Sequence, residues 1–395
     1  MSRVVAGPWA AQTLSDLGAE VIKIERLDNG DDTRGWGPPY LPPRDGAAAR
    51  DSAYFLSANR GKRSLAIDIA TREGQALIRR LSQHCDVLIE NYKVGDLARY
   101  GLGYDELRAE NPGLVYCSIT GFGQTGPLRQ VAGYDFIIQG IGGLMSLTGE
   151  RDDLPGGGPQ KVGVPVADLM TGMYATVAIL AALAHRSQTG AGQYIDLALL
   201  DVQVAMVAAL SMNYFVTGRV PGRSGNAHPN IVPYQVFRAA DGEVVLAVGN
   251  DAQFAKLCEA LRCNYAQDPR FAKNRDRVEH REVLTELLAA QFALRGVCEW
   301  VDLLTPLGVP IGAINNLAQV FEHPQVVARG MQVEVSHPLA DKLPLVGSPL
   351  KLSETPTVRP VAPPTLGQHT REVLQEWLGL SEQELVELAA ARVIG

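Results

Sequence analysis

Short apolar runs and helix-like stretches take turns along the first 120 residues, and this alternation constrains the fold more than any other feature. Pro8 to Leu17 has helical spacing, and Val21 to Glu25 reads as a strand. Arg63 to Ile69 is a second strand, followed by a helix from Arg72 to His84. Asp86 to Asn91 and Leu114 to Thr120 are further apolar strands bounded by turns. Strands joined by helical crossovers align parallel, so one parallel α/β sheet is expected. The loop from Leu27 to Asn59 is long and rich in Gly and Pro, the type of connection on which function is commonly carried.

A second stretch begins near Gly121. Gly133 to Leu147 is Gly-rich and apolar, and Pro165-Val-Ala-Asp168 opens a long apolar helix that ends near His185. Its apolar core, Leu169 to Ala184, is short for a bilayer and holds Thr171, Gly172 and Thr176, so a buried helix is expected. Gln193 to Asp196 is a short strand and Leu197 to Phe215 another helix. The polar Gly218–Asn230 loop is a candidate domain boundary. From Ile231 to Phe321 a smaller α+β unit is expected, with a strand at Val244–Val248 and helices at Asp251–Leu261, Asp276–Leu294 and Cys298–Leu307. Strands return at Gln332–Ser336, before a Pro-rich stretch and two C-terminal helices.

The 395 residues include 43 acidic and 36 basic side chains, a formal charge of −7. That balance argues against a general nucleic-acid or anionic-membrane surface, while a local basic patch could still hold an anionic small molecule. The five cysteines, Cys85, Cys117, Cys258, Cys263 and Cys298, form no CxxC pair. An odd, scattered set points to a reducing cytoplasmic setting, with neither disulfides nor a cysteine zinc site. No secretory signal pattern opens the sequence.

Gly121-Phe-Gly-Gln-Thr-Gly126 matches GxGxxG after a strand, but Pro127 follows and no helix pattern does, so a turn is favoured over a dinucleotide cradle. There is no GxxxxGK[ST], no HExxH, no clustered metal-ligand spacing and no GxSxG. Asp168 just before an apolar helix fits an N-cap. Its functional reading is a carboxylate kept ionised by the helix dipole, able to act as a nucleophile. Arg26, Arg34, Arg60, Lys62, Arg63, Lys93 and Arg99 lie near strand ends or in the long loop, as solvated charge or as a converging phosphate site.

Nine stretches together resemble the class III CoA-transferases, a family of formyl-CoA and carnitine CoA-transferase type with α-methylacyl-CoA racemase as a divergent branch. They are Ala6-Gly-Pro-Trp9, Asp16-Leu-Gly-Ala-Glu-Val-Ile-Lys-Ile-Glu-Arg26, Gly30-Asp-Asp-Thr-Arg-Gly-Trp36, Asn59-Arg-Gly-Lys-Arg-Ser64, Glu90-Asn-Tyr92, Gly121-Phe-Gly123, Gly133-Tyr-Asp135, Val166-Ala-Asp168 and Leu366-Gly-Gln-His-Thr370. The resemblance implies an α/β fold with a Rossmann-like large domain built from both chain ends, residues 1–225 and 326–395. A smaller α+β domain, 226–325, lies between them, and the family forms an interlocked homodimer. Asp168 matches the family's nucleophile. Val5, Ala6, Arg26, Ile67, Asn91, Tyr92, Lys93 and Arg99 match positions that contact CoA, and Tyr134 and Asp135 fall beside the acyl pocket. The Gly222–His228 stretch matches the family's lid loop. Relatives also carry a strand ahead of the Ala-Gly-Pro turn, within which this sequence starts; without that strand, an edge in the sheet is left unpaired.

The implied reaction moves CoA between two carboxylic acids, with no ATP, no metal and no cofactor beyond the CoA thioester co-substrate. Backbone N–H groups at the Asp168 helix start or in a Gly-rich loop are the expected oxyanion donors. Asn226-Ala-His-Pro-Asn-Ile-Val-Pro-Tyr-Gln235 is similar to the succinyl-CoA:dicarboxylate (glutarate) branch, where Arg223 and His228 could meet a distal carboxylate. Two alternatives stay open. One is a racemase, although Tyr134 stands where that branch carries its His; the other is an inactive CoA-binding paralogue. Partners are limited to acyl-CoA, carboxylic acids and a second copy, with no nucleic acid or membrane.

Overall fold

A computed structural model describes residues 1–42 and 51–395, so residues 43–50 of the Leu27–Asn59 loop lie outside the described residues. Ten strands form among the described residues: β1 (Val21–Glu25), β2 (Lys62–Ala66), β3 (Val87–Glu90), β4 (Val115–Thr120), β5 (Tyr194–Ala198), β6 (Tyr234–Arg238), β7 (Glu243–Ala247), β8 (Ile311–Ala313), β9 (Gln332–His337) and β10 (Ala340–Val346). β1 pairs parallel with β2, and β3, β4 and β5 form a parallel sheet. β6, β7 and β8 form an antiparallel sheet, and β9 pairs with β10 as a hairpin. The fold is thus mixed α/β, with parallel and antiparallel sheets.

The chain divides into two compact units. The larger comprises Met1–Leu144, Lys161–Val216 and Pro324–Gly395, and the smaller Met145–Gln160 and Thr217–His323. These boundaries fall at 216/217 and 323/324, where the sequence reading places them at 225/226 and 325/326. The smaller unit also takes up 145–160, because the Arg223 guanidinium donates to the Glu150 carbonyl at 3.1 Å and pairs with Asp152.

In the larger unit β4 is buried along nearly its whole length, which is why Val115–Thr120 reads as one unbroken apolar run. β2 is more polar. Its Lys62 is buried and donates to the Pro8 carbonyl, the Ala58 carbonyl and Asn59 Oδ1 at 2.7–2.8 Å, so burial leaves no Nζ proton unpartnered. The chain end returns to this unit. Ile394 bridges Ile67, and the Thr370–Leu378 helix places Val373 and Leu374 in the core with Leu65, Ile67 and Leu77.

Two expectations are corrected here. The first is the single parallel sheet. No strand runs between β1 and β3 among the described residues, and a cavity of about 560 Å³ lies there, lined by Val21–Ile24 and Val87–Ile89. The second is the Leu197–Phe215 helix, which is two helices, Leu199–Met206 and Ala208–Thr217, bent by 70°. Ala208 at φ 40° makes the break, and with neither Gly nor Pro there the sequence carries no local signal for it.

The smaller unit builds its own core from β6–β8 and the Asp251–Ala260, Arg281–Phe292 and Val297–Leu304 helices. Arg277 is fully buried among them. Its guanidinium donates to the Val232 and Phe271 carbonyls and to Asp251, and lies over the Phe254 ring.

Candidate active site

Asp168 occupies the first turn of the Val166–Thr189 helix, and only 8 % of it is exposed. The helix is long and apolar enough to cross a bilayer, but one face, from Ala167 to Ala182, is packed inside the larger unit. Gly172 on that face permits the packing: a Cβ there would come 2.8 Å from the Ala6 carbonyl oxygen and 3.0 Å from the Trp9 side chain. The Ala6–Asp16 helix is thereby brought close, and Val5 and Ala6 stand beside Asp168.

The N-cap expectation for Asp168 is corrected. Pro165 holds the cap position, and the capping acceptor comes from a distant stretch of sequence. Asp135 Oδ1 accepts from the Ala167 N–H at 2.8 Å and from the Asp168 N–H at 3.3 Å. Asp168 is therefore not held ionised by the dipole. Burial, and secondarily the Asp135 charge, push its pKa up to about 7. The same two N–H groups are engaged by Asp135, so they are not the oxyanion donors the sequence reading assigned to the helix start.

A cavity of about 160 Å³ opens at Asp168. Val5, Ala6, Asn91, Tyr92, Lys93 and Tyr134 line it, six of the residues named from the sequence. Asn91 fixes the wall: its Oδ1 accepts from the Arg3 N–H at 2.9 Å and its Nδ2 donates to the Arg3 carbonyl at 2.7 Å. Next to it Val4 sits at φ 67°, a strained conformation for a β-branched residue that costs roughly 1–3 kcal/mol. The Asn91 clamp and an acceptor at Asp31 Oδ1 (3.2 Å from the Val4 N–H) hold it there. The opposite wall is the 121–134 loop, closed at its neck where Gly121 and Gly133 touch, since a Cβ on Gly121 would lie 2.6 Å from the Gly133 Cα. No helix starts at Gly121, which leaves the GxGxxG match as a turn.

A second cavity, about 380 Å³, lies at the carboxyl ends of β1 and β2 and is lined by Arg26, Ile67 and Tyr92. Tyr92 thus borders both cavities. Arg26 pairs with Asp32, which also takes Arg3 at 2.9 Å. Arg99 borders neither cavity; it is exposed and paired with Asp96. Arg223 and His228 belong to the smaller unit, where Arg223 is engaged by Asp152 and His228 lies against the Tyr234 ring.

Several basic residues read as a possible phosphate site are consumed internally. Arg34 forms a buried pair with Glu25 at 2.8 Å and with Asp51, stacked on Phe55. Arg60 pairs with Asp16, and Arg63 with Glu20, Glu372 and Glu376. Arg3, Asp32 and Arg129 were not singled out from the sequence yet line the Asp168 cavity. Asp32 lies within the Gly30–Trp36 stretch and Arg3 shortly ahead of Ala6–Trp9, which is a usable signal; Arg129, in a turn, has none. Among the described residues no group of three or more His, Cys, Asp or Glu side chains is placed to hold a metal ion.

Residues 1–370 match the model of CoA-transferase family III. The chain is 49 % identical over 382 residues to the succinate–glutarate CoA-transferase of Agrobacterium fabrum, covering 95 % of this chain and 93 % of that one. It is 42 % identical over 395 residues to the succinyl-CoA:glutarate CoA-transferase of Mus musculus, covering 100 % and 88 %. A crystal structure of a CAIB/BAIF family protein from Brucella suis superposes with a TM-score of 0.83 at 46 % identity, covering 95 % and 97 %. With a family match over nearly the whole length and relatives this similar, the chain belongs to CoA-transferase family III.

Proposed function

We propose that this enzyme transfers CoA from succinyl-CoA to a C4–C6 dicarboxylic acid such as glutarate, with Asp168 as the nucleophile. One observation carries the reading: a buried carboxylate in a cavity whose other charged lining includes Arg3, Lys93 and Arg129. The names of the similar enzymes from Agrobacterium fabrum and Mus musculus support the substrate pair.

The pantetheine of CoA runs past Tyr92, with its nucleotide at the Arg26–Ile67 cavity and its thioester at Asp168. Val5, Ala6, Asn91 and Lys93 border the thioester end, and Arg99 meets the outer part of the nucleotide. An Asp168 oxygen attacks the succinyl carbonyl, the C–S bond breaks, and a mixed anhydride forms with CoA thiolate retained. The thiolate then attacks the aspartyl carbonyl, which releases succinate and leaves an aspartyl-CoA thioester. Glutarate attacks that carbonyl and expels the thiolate. Finally the thiolate attacks the glutaryl carbonyl, so glutaryl-CoA leaves and Asp168 is regenerated. One thioester replaces another, so no ATP and no further cofactor is required. Lys93 and Arg129 offset the oxyanions, and Arg129 also meets the distal carboxylate.

The remaining apolar surface of the larger unit supports the interlocked homodimer. Tyr174, Val177 and Leu180 on the Val166–Thr189 helix, Phe136 and Ile137, and Phe215 and Val216 are all exposed. The second copy covers them, completing a Rossmann-like large domain whose setting is the cytoplasm.

Trapping tests the reading. Incubation with succinyl-CoA, peptide digestion and mass spectrometry should find an acyl or CoA adduct on Asp168. Asp168→Ala should lose the adduct and turnover while still binding CoA. Full turnover in that variant, or exclusive use of formate, oxalate or carnitine, would overturn it.

A further inference from the structure

The sequence resemblance places Asp135 beside the acyl pocket, yet Asp135 is absent from the lining of the Asp168 cavity, where its neighbour Tyr134 stands. Its carboxylate instead binds three donors. Oδ1 takes the Ala167 and Asp168 N–H groups, and Oδ2 takes Gln139 Nε2 at 2.7 Å. Gln139 is fully buried, and its Oε1 accepts from the Val162 N–H at 2.9 Å. One carboxylate and one amide thus tie together the Asp135–Ile141 helix, the 162–165 approach and the start of the Val166–Thr189 helix.

We propose that Asp135 is a positioning residue for Asp168: it clamps the helix turn that carries the nucleophile and places a second negative charge beside it. This rests on the reading of Asp168 as the nucleophile. The clamp fixes the Asp168 backbone and so limits where its carboxylate can point. Burial first, and the Asp135 charge after it, make the Asp168 carboxylate more basic and a stronger nucleophile than a solvated aspartate. The Tyr54 hydroxyl, pushed up to about 12 by burial and then by Asp168 and Asp135, senses both carboxylates. The other charged groups bordering Asp168 are Arg3, Asp32, Lys93 and Arg129 across the cavity.

The two contributions separate by substitution. Asp135→Asn and Asp135→Ser each keep an oxygen acceptor for the helix N–H groups and remove the charge. Gln139→Leu breaks the link to Val162 and keeps the charge. With succinyl-CoA and glutarate, the acid limb of kcat/KM in the Asn or Ser variant should move to lower pH by about half a pH unit or more. Gln139→Leu should leave that limb in place and lower kcat about tenfold, with KM for succinyl-CoA unchanged. An unmoved limb in whichever of the Asn and Ser variants folds would overturn the charge contribution, and a wild-type kcat in Gln139→Leu would overturn the clamp. The Asp168 adduct in the wild-type enzyme is read separately: if none forms, the nucleophile reading has failed, whereas an adduct with an unmoved limb sinks only the role of Asp135.

Discussion

Gly172 lies against Ala6 so closely that a single methyl group on Gly172 would meet the Ala6 carbonyl oxygen at 2.8 Å. That contact brings the first helix of the chain to the helix carrying Asp168, and it sets one wall of the cavity. Gly172→Val should therefore force the two helices apart, costing about 1–3 kcal/mol of stability. Turnover should fall further than CoA binding, because Asp168 shifts relative to Val5 and Ala6. Thermal unfolding and kcat measured on one preparation check both halves.

A buried acid that ionises near pH 7 makes the protein less stable as pH rises. Between its ordinary value of 3.8 and about 7, folded Asp168 holds a proton that the unfolded chain releases. Stability is thus lost across that window. Asp168→Asn should unfold at a higher temperature than wild type, with a gap that widens from pH 4 to pH 7 and then levels, on the order of a few kcal/mol. The same variant should be without turnover. A gap that does not change with pH would contradict the assignment of the titrating group.

Arg129 has a turn-borne guanidinium at the cavity and no ion pair among the described residues. Arg129→Ala should raise KM for glutarate about tenfold or more, since a charge-assisted contact contributes about 1.5–3 kcal/mol. A monocarboxylic acid of similar length, having no distal charge, should be affected far less. Steady-state kinetics with the two acids give the ratio directly.

Val177 and Leu180 are exposed on the long helix, with 62 % and 44 % of their surface free. Val177→Glu together with Leu180→Glu should convert a dimer to monomers, visible as a halved mass in light scattering. A wild-type protein that runs as a monomer at micromolar concentration would remove the proposed role of this face.

The legible parts of the fold were those with local signals. β1 and the start of the Arg72–Ser82 helix match their expected positions, because apolar runs, a Thr71 cap and turn residues bound them. β8 is three residues long and stands on pairing with β7 alone, which no window of sequence reveals. The site shows the same division. Asp168 was legible through its motif, but its environment was not, since the acceptor that caps its helix is 33 residues away at Asp135. The roles of the basic residues are hidden for a related cause: the carboxylate that takes up Arg60 is 44 residues distant along the chain, and those that take up Arg63 are 43 and more than 300 residues distant.

The cavity between β1 and β3 has a consequence for how the molecule breathes. Among the described residues each of these strands has ladder bonds on one side only, to β2 and to β4, so the amide protons on their facing edges lack a strand acceptor there. Deuterium should enter those edges long before it reaches β4, which is paired on both sides. The seam between the two parallel sheets is then where solvent first gains entry to the larger unit.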